Sequence, residues 1–196
     1  MILIFFSELE ECVFEWIKDS ESLFELVNLK TLFINNYPVK SDDSFYKLIN
    51  LKELTIYNSK IEKIEQIFEL KKIQKLRIAN LSKIESLKGI DQLTNLEELE
   101  IKKCKAISSV SEIFYSEKLR LLHLIDIGSI LSIKGIENLS KLEDFMFYES
   151  TNIIDGDLKP ITKLNKLNKV SFQNRKHYTH NREAFINILK KNKTTD

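Results

Sequence analysis

The chain has 196 residues and a formal charge of +1, from 30 Lys plus Arg against 29 Asp plus Glu, with 43% apolar and 30% charged residues. Those proportions exclude a disordered or collagen-like chain and fit one ordinary domain. Leu and Ile number 27 and 26 against 5 Val, 4 Gly and 2 Pro, so something repeats Leu and Ile without glycine turns.

In chain order, residues 1–6 are apolar and the chain then turns acidic at Glu8, Glu10 and Glu11. A basic n-region, a sufficient apolar h-region and a small-residue cleavage site are all missing from this stretch, so it does not read as a secretory signal. It predicts a first strand instead. Ser7-x-x-Glu10 matches a capping box, which predicts a helix over about 8–18 carrying Leu9, Val13, Trp16 and Ile17 on one face. Ser20 or Ser22 is then placed to cap a second short helix through Phe24 and Val27. Nowhere do about 18 apolar residues run together as a membrane span requires. Cys12 and Cys104 lie 92 residues apart, outside any CxxC or zinc spacing, and read as reduced, buried thiols of a cytoplasmic protein.

From residue 26 to about 175 one phrase recurs, L-x-x-L-x-L. It stands at Leu29/Leu32/Ile34, Leu51/Leu54/Ile56, Ile73/Leu76/Ile78, Leu96/Leu99/Ile101, Leu119/Leu122/Leu124, Leu142/Phe145/Phe147 and Leu167/Val170/Phe172. The step from one phrase to the next is nearly constant and lengthens only slightly toward the end of the array. The alternating segment is a short strand, with successive side chains on opposite faces. Between phrases the apolar period changes to three, as in Ile61, Ile64, Ile67 and Leu70, which predicts a 3₁₀-like return. A unit this short cannot bury its apolar face alone, so the units must stack, with their strands in one parallel sheet. Beyond the last unit, Thr179 or Asn181 is placed to cap a helix bearing Ala184, Phe185, Ile188 and Leu189, with Lys190, Lys191 and Lys193 near its negative end.

This pattern resembles the leucine-rich-repeat family, in the short 22-residue class typified by bacterial internalins. The resemblance implies an α/β solenoid shaped as a curved horseshoe, with short parallel strands on its concave face, 3₁₀ or short helical segments on its convex side and helical caps at both ends. The chain then divides as one domain, 1–196, into a cap (1–25), about seven repeats (26–175) and a cap helix (176–196). The family usually sets Asn or Cys three residues after the last strand Leu, to satisfy backbone groups between coils. Here that place holds Tyr37, Ser59, Leu81, Cys104, Ile127, Ser150 and Arg175, of which Ser59, Cys104 and Ser150 suit the role. Asn36, Asn58, Asn80 and Asn174 lie one residue earlier and can substitute in part if the turn is shifted.

Because the phrase's Leu residues face the core, the alternate strand positions must form the opposite face of the sheet, which the resemblance makes the concave one. Those positions bring together Phe33, Tyr57, Arg77, Glu98, Glu100, Lys102, Leu121, His123, Ile125, Asp144, Met146 and Tyr148 as candidate partner-binding residues. Leu121, His123, Ile125, Met146 and Tyr148 make the densest apolar cluster, ringed by Glu98, Glu100, Asp126, Asp144 and Glu149, with Lys75, Arg77, Lys102 and Lys103 as a neighbouring basic patch. Aromatic, Met and Arg anchors inside a polar rim are the composition of protein interfaces. Nucleic acid would require a coherent basic surface, and the basic stretch from Lys159 to Lys193 is the alternative that predicts it. The ends differ in charge: residues 1–25 carry seven acids against Lys18, and residues 159–196 carry ten Lys and Arg against Glu183 and Asp196.

No phosphate-binding glycine loop, nucleophile elbow or HExxH motif occurs. His177-x-x-His180 has the spacing of a metal pair but sits in the cationic run Arg175-Lys176-His177, and His123 near Asp126 and Asp144 lacks a nucleophile to serve. The expectation is therefore a non-enzymatic protein-binding module without cofactor, metal or membrane anchor, monomeric or in complex with its partner. By analogy with bacterial repeat proteins, its most concrete form is a cytoplasmic immunity protein neutralising a toxin or enzyme. A translocated effector or a regulatory scaffold is the alternative.

Overall fold

A computed structural model describes residues 8–38 and 44–192. Its main sheet is formed, in spatial order, by β1 (Glu11–Glu15), β2 (Thr31–Asn35), β3 (Glu53–Tyr57), β4 (Lys75–Ala79), β5 (Glu98–Lys102), β6 (Leu121–Ile125), β8 (Asp144–Tyr148) and β10 (Lys169–Phe172). Every neighbouring pair in it is parallel. A second sheet of two short strands, β7 (Ser129–Ile130) and β9 (Asn152–Ile153), joins two coils beyond the strand turn. Helix α1 (Arg182–Asn192) packs against β10 and closes that end.

The two apolar periods produce the two halves of each coil. Within the strands, Leu32 and Ile34, Leu54 and Ile56, and Leu76 and Ile78 are at most 1% exposed and lie level with one another across the sheet. On the return side, Ile61, Ile64, Ile67 and Leu70 are also buried, with Ile67 inside the 3₁₀ segment Glu65–Glu69 and Leu70 directly after it. Similar segments occur at Glu21–Glu25, Ser44–Lys47, Ile90–Gln92, Ser111–Tyr115, Ile136–Asn138 and Lys159–Lys163.

From Glu65 to Lys163 these returns alternate between five and three residues. In the longer ones Phe68 and Phe114 are buried, and each meets a glycine opening the next, shorter return. A Cβ on Gly89 would stand 3.1 Å from Phe68 Cδ2, and one on Gly135 would stand 3.3 Å from Phe114 Cδ2. The glycines have φ of +94° and +100°. A bulky ring over a missing Cβ thus repeats every second coil.

Directly after six of the strands stands a left-handed residue: Asn36, Asn58, Asn80, Lys103, Asp126 or Glu149, with φ between 50° and 60°. Asn tolerates that conformation better than most residues. The backbone N–H of Asn58 donates to Ala79 O at 3.0 Å, prolonging the strand ladder by one rung, and the Asn80 amide donates to Asn58 Oδ1 at 2.7 Å. The asparagines therefore make the turn itself. The inter-coil backbone role falls to Ser59, whose hydroxyl donates to Tyr37 O at 2.6 Å and accepts from Ile61 N at 3.2 Å. Buried Cys104 lies in the same place with Sγ 3.4 Å from Lys102 O, and burial pushes its thiol up to about 11. Ser150 shares the role in part, its hydroxyl accepting from Gly128 N of the preceding coil at 3.2 Å. Its turn is one residue longer, so buried Thr151 donates to Leu124 O at 2.9 Å and accepts from Ile127 N at 3.2 Å.

The first coil corrects the expectation of a helix over 8–18. Residues 11–15 are a strand in register with β2, Cys12 beside Leu32 and Phe14 beside Ile34. Leu9-x-x-Cys12-x-Phe14 is an eighth copy of the phrase, so Val13 and Ile17, expected on a buried helix face, are 83% and 67% exposed. Ser20 precedes the 3₁₀ segment, but its hydroxyl accepts from Ile17 N at 3.2 Å rather than capping the helix. The strand expected over 1–6 and the Ser7 cap lie outside the described residues. At the other end the expected helix is present: Asn181 Oδ1 accepts from Ala184 N at 2.9 Å, and Phe185 is buried against Phe172, with ring centroids 5.7 Å apart.

Candidate protein-binding face

The side of the main sheet opposite the core carries all twelve sequence-derived candidates. Strand register sets three rows across it. The first runs Glu11, Thr31, Glu53, Lys75, Glu98, Leu121, Asp144, Lys169; the second Val13, Phe33, Thr55, Arg77, Glu100, His123, Met146, Ser171; the third Glu15, Asn35, Tyr57, Ala79, Lys102, Ile125, Tyr148. With strands about 4.8 Å apart, the face is roughly 34 Å long.

Apolar side chains gather at two places. Leu121, Ile125, Met146 and Tyr148 lie on the adjacent strands β6 and β8, as the sequence implied, with Tyr148 40% exposed and the other three half-buried. Toward the first coil, Val13 is level with Phe33, and the Phe33 and Tyr57 rings lie 6.4 Å apart. Val13 is not among the twelve candidates, because Ser7-x-x-Glu10 predicts a helix where the structure has β1; the signal that identifies it is the phrase beginning at Leu9.

Between and around these clusters the charges interleave instead of separating into an acidic ring and a basic patch. Lys75 Nζ lies 3.5 Å from Glu98 and 3.4 Å from Glu53, and these carboxylates, Glu98 foremost, raise its pKa. Arg77 also reaches Glu98, at 3.4 Å. Arg120 forks onto Glu143 with two hydrogen bonds of 3.0 Å, which hold that carboxyl below its ordinary range. The hydrogen bond from Ser150, then Lys105, lowers Asp126. Opposite charges level with each other across neighbouring strands attract, which selects this alternation. Lys102 has no ion-pair or hydrogen-bond partner for its side chain among the described residues.

His123 is flanked on both sides by carboxylates, Nε2 3.3 Å from Asp144 Oδ1 and Nδ1 4.0 Å from Glu100. The Nε2 and Oδ1 atoms are near each other but not aligned for a hydrogen bond, and Asp144 receives Lys169 Nζ at 2.9 Å on its other oxygen. The imidazoles of the His-x-x-His pair are engaged separately: His177 Nε2 lies 2.9 Å from Ile153 O, and His180 Nδ1 lies 3.0 Å from Thr179 Oγ1. Among the described residues no three His, Cys, Asp or Glu side chains are grouped to hold a metal ion. One cleft of about 150 Å³ opens at the border of the face, lined by Glu97, Glu98, Arg120, Leu121, Glu143 and Asp144. It has the size of a single side chain and not of a metabolite, whose pockets run to several hundred Å³.

No protein-family model and no curated protein matches the chain. Among solved structures it is similar to an internalin from Listeria monocytogenes, with 22% identity and a TM-score of 0.63 over 82% of this chain and 48% of that one. Internalin C2 of the same organism aligns at 20% identity and TM-score 0.63, over 79% and 68%. A leucine-rich-repeat protein of Leptospira interrogans aligns at 21% and TM-score 0.62, over 94% and 53%. The chain thus spans about half the length of the first and third of these proteins. Coil length, the parallel sheet, the 3₁₀ returns and this likeness together identify the chain as a leucine-rich-repeat solenoid.

Proposed function

We propose that the chain is a non-enzymatic protein-binding module that acts by occupying a partner's surface with the open face of its sheet. The observation that carries this reading is the pair of apolar clusters, Val13–Phe33–Tyr57 and Leu121–Ile125–Met146–Tyr148, set among interleaved charges. Aromatic and Met anchors with a polar surround supply most of the energy in protein interfaces. A plant peptide hormone receptor of this fold, 20% identical over 82% of this chain at TM-score 0.54, was solved in complex with RGF2. In its most specific form the reading is a cytoplasmic inhibitor of the immunity-protein kind, acting on a bacterial toxin. Among the described residues no helix is long and apolar enough to cross a membrane. The basic end is less suited to nucleic acid, because Lys163 and Lys169 are already paired with Glu137 and Asp144, and Arg175 is turned onto the carbonyls of Glu149 and Thr151.

The test is affinity capture with the wild type beside Met146→Asp/Tyr148→Asp, followed by titration of the captured protein. Both side chains point away from the core, so the double variant keeps its circular dichroism spectrum and melting temperature. Its affinity is expected to fall by at least about 100-fold, or 2.7 kcal/mol. Equal affinity for both proteins would remove the face from the reading.

A further inference from the structure

Inside the solenoid, charge is balanced coil against coil. Lys47 pairs with Glu25, Lys83 with Glu62, Arg120 with Glu143, Lys163 with Glu137 and Lys169 with Asp144, at 2.6 to 3.3 Å, and each pair joins neighbouring coils. Among the described residues, the first and last coils each have a neighbouring coil on one side only. At the first, Glu11, Asp19 and Glu21 make no ion pair among the described residues, within a segment, 8–25, that holds seven acids and only Lys18. At the last, the side chains of Lys176 and Arg182 make neither an ion pair nor a hydrogen bond among the described residues.

The ends also differ in how they are covered. At the last coil α1 lies against β10 and buries Phe172 and Phe185 to 2% and 1%. The first coil ends on β1, which has β2 on one side and no strand on the other among the described residues. Its inward side chains Cys12, Phe14 and Trp16 are only half-buried. An open strand edge beside partly covered apolar side chains is a docking surface for another chain. Its surplus of acid selects a basic occupant, and the basic end of an identical molecule, with Ile186 41% exposed on α1 beside Arg182, has the complementary charge.

We propose that the chain self-associates head to tail, the open β1 end of one copy against the α1-covered basic end of another. A head-to-tail contact of this kind leaves both outer ends free, so it builds short linear oligomers that lengthen with concentration and does not stop at a dimer. Its driving charges are solvent-exposed, so salt screens it.

Sedimentation velocity of the full chain tests this across a concentration series. At about 20 mM salt the weight-average mass is expected to exceed the 23.0 kDa monomer and rise with concentration. At about 500 mM it is expected to return to the monomer. Glu11→Lys/Glu21→Lys reverses two of the unpaired acids and cuts the net charge of residues 1–25 from −6 to −2, and Lys176→Glu/Arg182→Glu reverses the two unpaired cations and cuts that of residues 159–196 from +8 to +4, so each double variant alone is expected to associate far less than wild type. Mixed in equal amounts they have complementary ends again and associate. All four positions are exposed, and unchanged circular dichroism confirms folding. A wild type that stays monomeric at low salt overturns the proposal. Association that persists at high salt, or a mixture of the variants that stays monomeric, overturns it equally.

Discussion

Phe147→Ala is expected to destabilise the protein by about 3–5 kcal/mol, the usual cost of emptying a buried aromatic site. Phe147 is 1% exposed and stacks on Phe172 with centroids 4.7 Å apart and planes 5° from parallel. It also meets Phe145 at 5.2 Å and Tyr178 at 6.0 Å. Phe147 and Phe172 stand level on β8 and β10, so this stack is what joins the last coil and its cap to the rest. In a solenoid each coil is stabilised by its neighbours alone. The loss should therefore appear at one end first. Trp16 is the single tryptophan and lies in the first coil, so its fluorescence reports the opposite end. In urea, the far-ultraviolet circular dichroism of the variant should begin to fall before the tryptophan signal moves. Coincident transitions, with less than about 1 kcal/mol lost, would show that the stack is not what couples the end coil.

Gly156→Ala should be the most damaging of the glycine substitutions. Gly156 has φ +65°, and a Cβ there would stand 2.3 Å from the carbonyl oxygen of His177 and 3.0 Å from its carbonyl carbon. Both contacts are backbone, and neither segment is free to retreat. Thr179 N donates to Gly156 O at 2.9 Å, Leu158 N donates to Thr179 Oγ1 at 2.9 Å, and His177 Nε2 is held at Ile153 O. Steric exclusion added to a left-handed backbone is expected to cost about 2–4 kcal/mol. The effect is local: the chain over 173–181 lifts away and α1 loses its seat on β10. Limited proteolysis should cut the variant within this segment under conditions that leave wild type whole. Gly89→Ala is the control, because its Cβ would meet the ring of Phe68 at 3.1 Å and not a backbone, and it should resist cleavage better. Equal resistance in both would show that the cap has more room than the distances allow.

The seven strands from β2 to β10 in the main sheet, and the residues facing away from the core, were legible in the sequence because period two inside a strand and a nearly constant coil length act together. Either signal alone is ambiguous; jointly they set which coil neighbours which and which side each residue faces. The first strand was concealed for a chemical reason. Cys12 and Phe14 stand where most other phrases have aliphatic residues, the step from Leu9 to Leu29 is shorter than any later one, and Ser7 with Glu10 imitates a helix start. The interleaving of charge on the face could not be read along the chain either. Lys75 sits between Glu53 of the coil before it and Glu98 of the coil after it, and that pairing depends on how three side chains share one level of the sheet. Thr151 escaped notice because one extra residue in its turn shifts it past the place where its counterparts stand.

The alternation of long and short returns bears on how such a chain can be lengthened or cut. Phe68 and Phe114 are 46 residues apart, as are Gly89 and Gly135, so the interchangeable module along this stretch is a pair of coils. Excising one coil would set ring against ring, or leave a glycine facing a void. Duplicating a whole pair would restore every ring to its socket. Growth and trimming of the array by whole pairs is thus the route that leaves its packing intact, whether by recombination or by design.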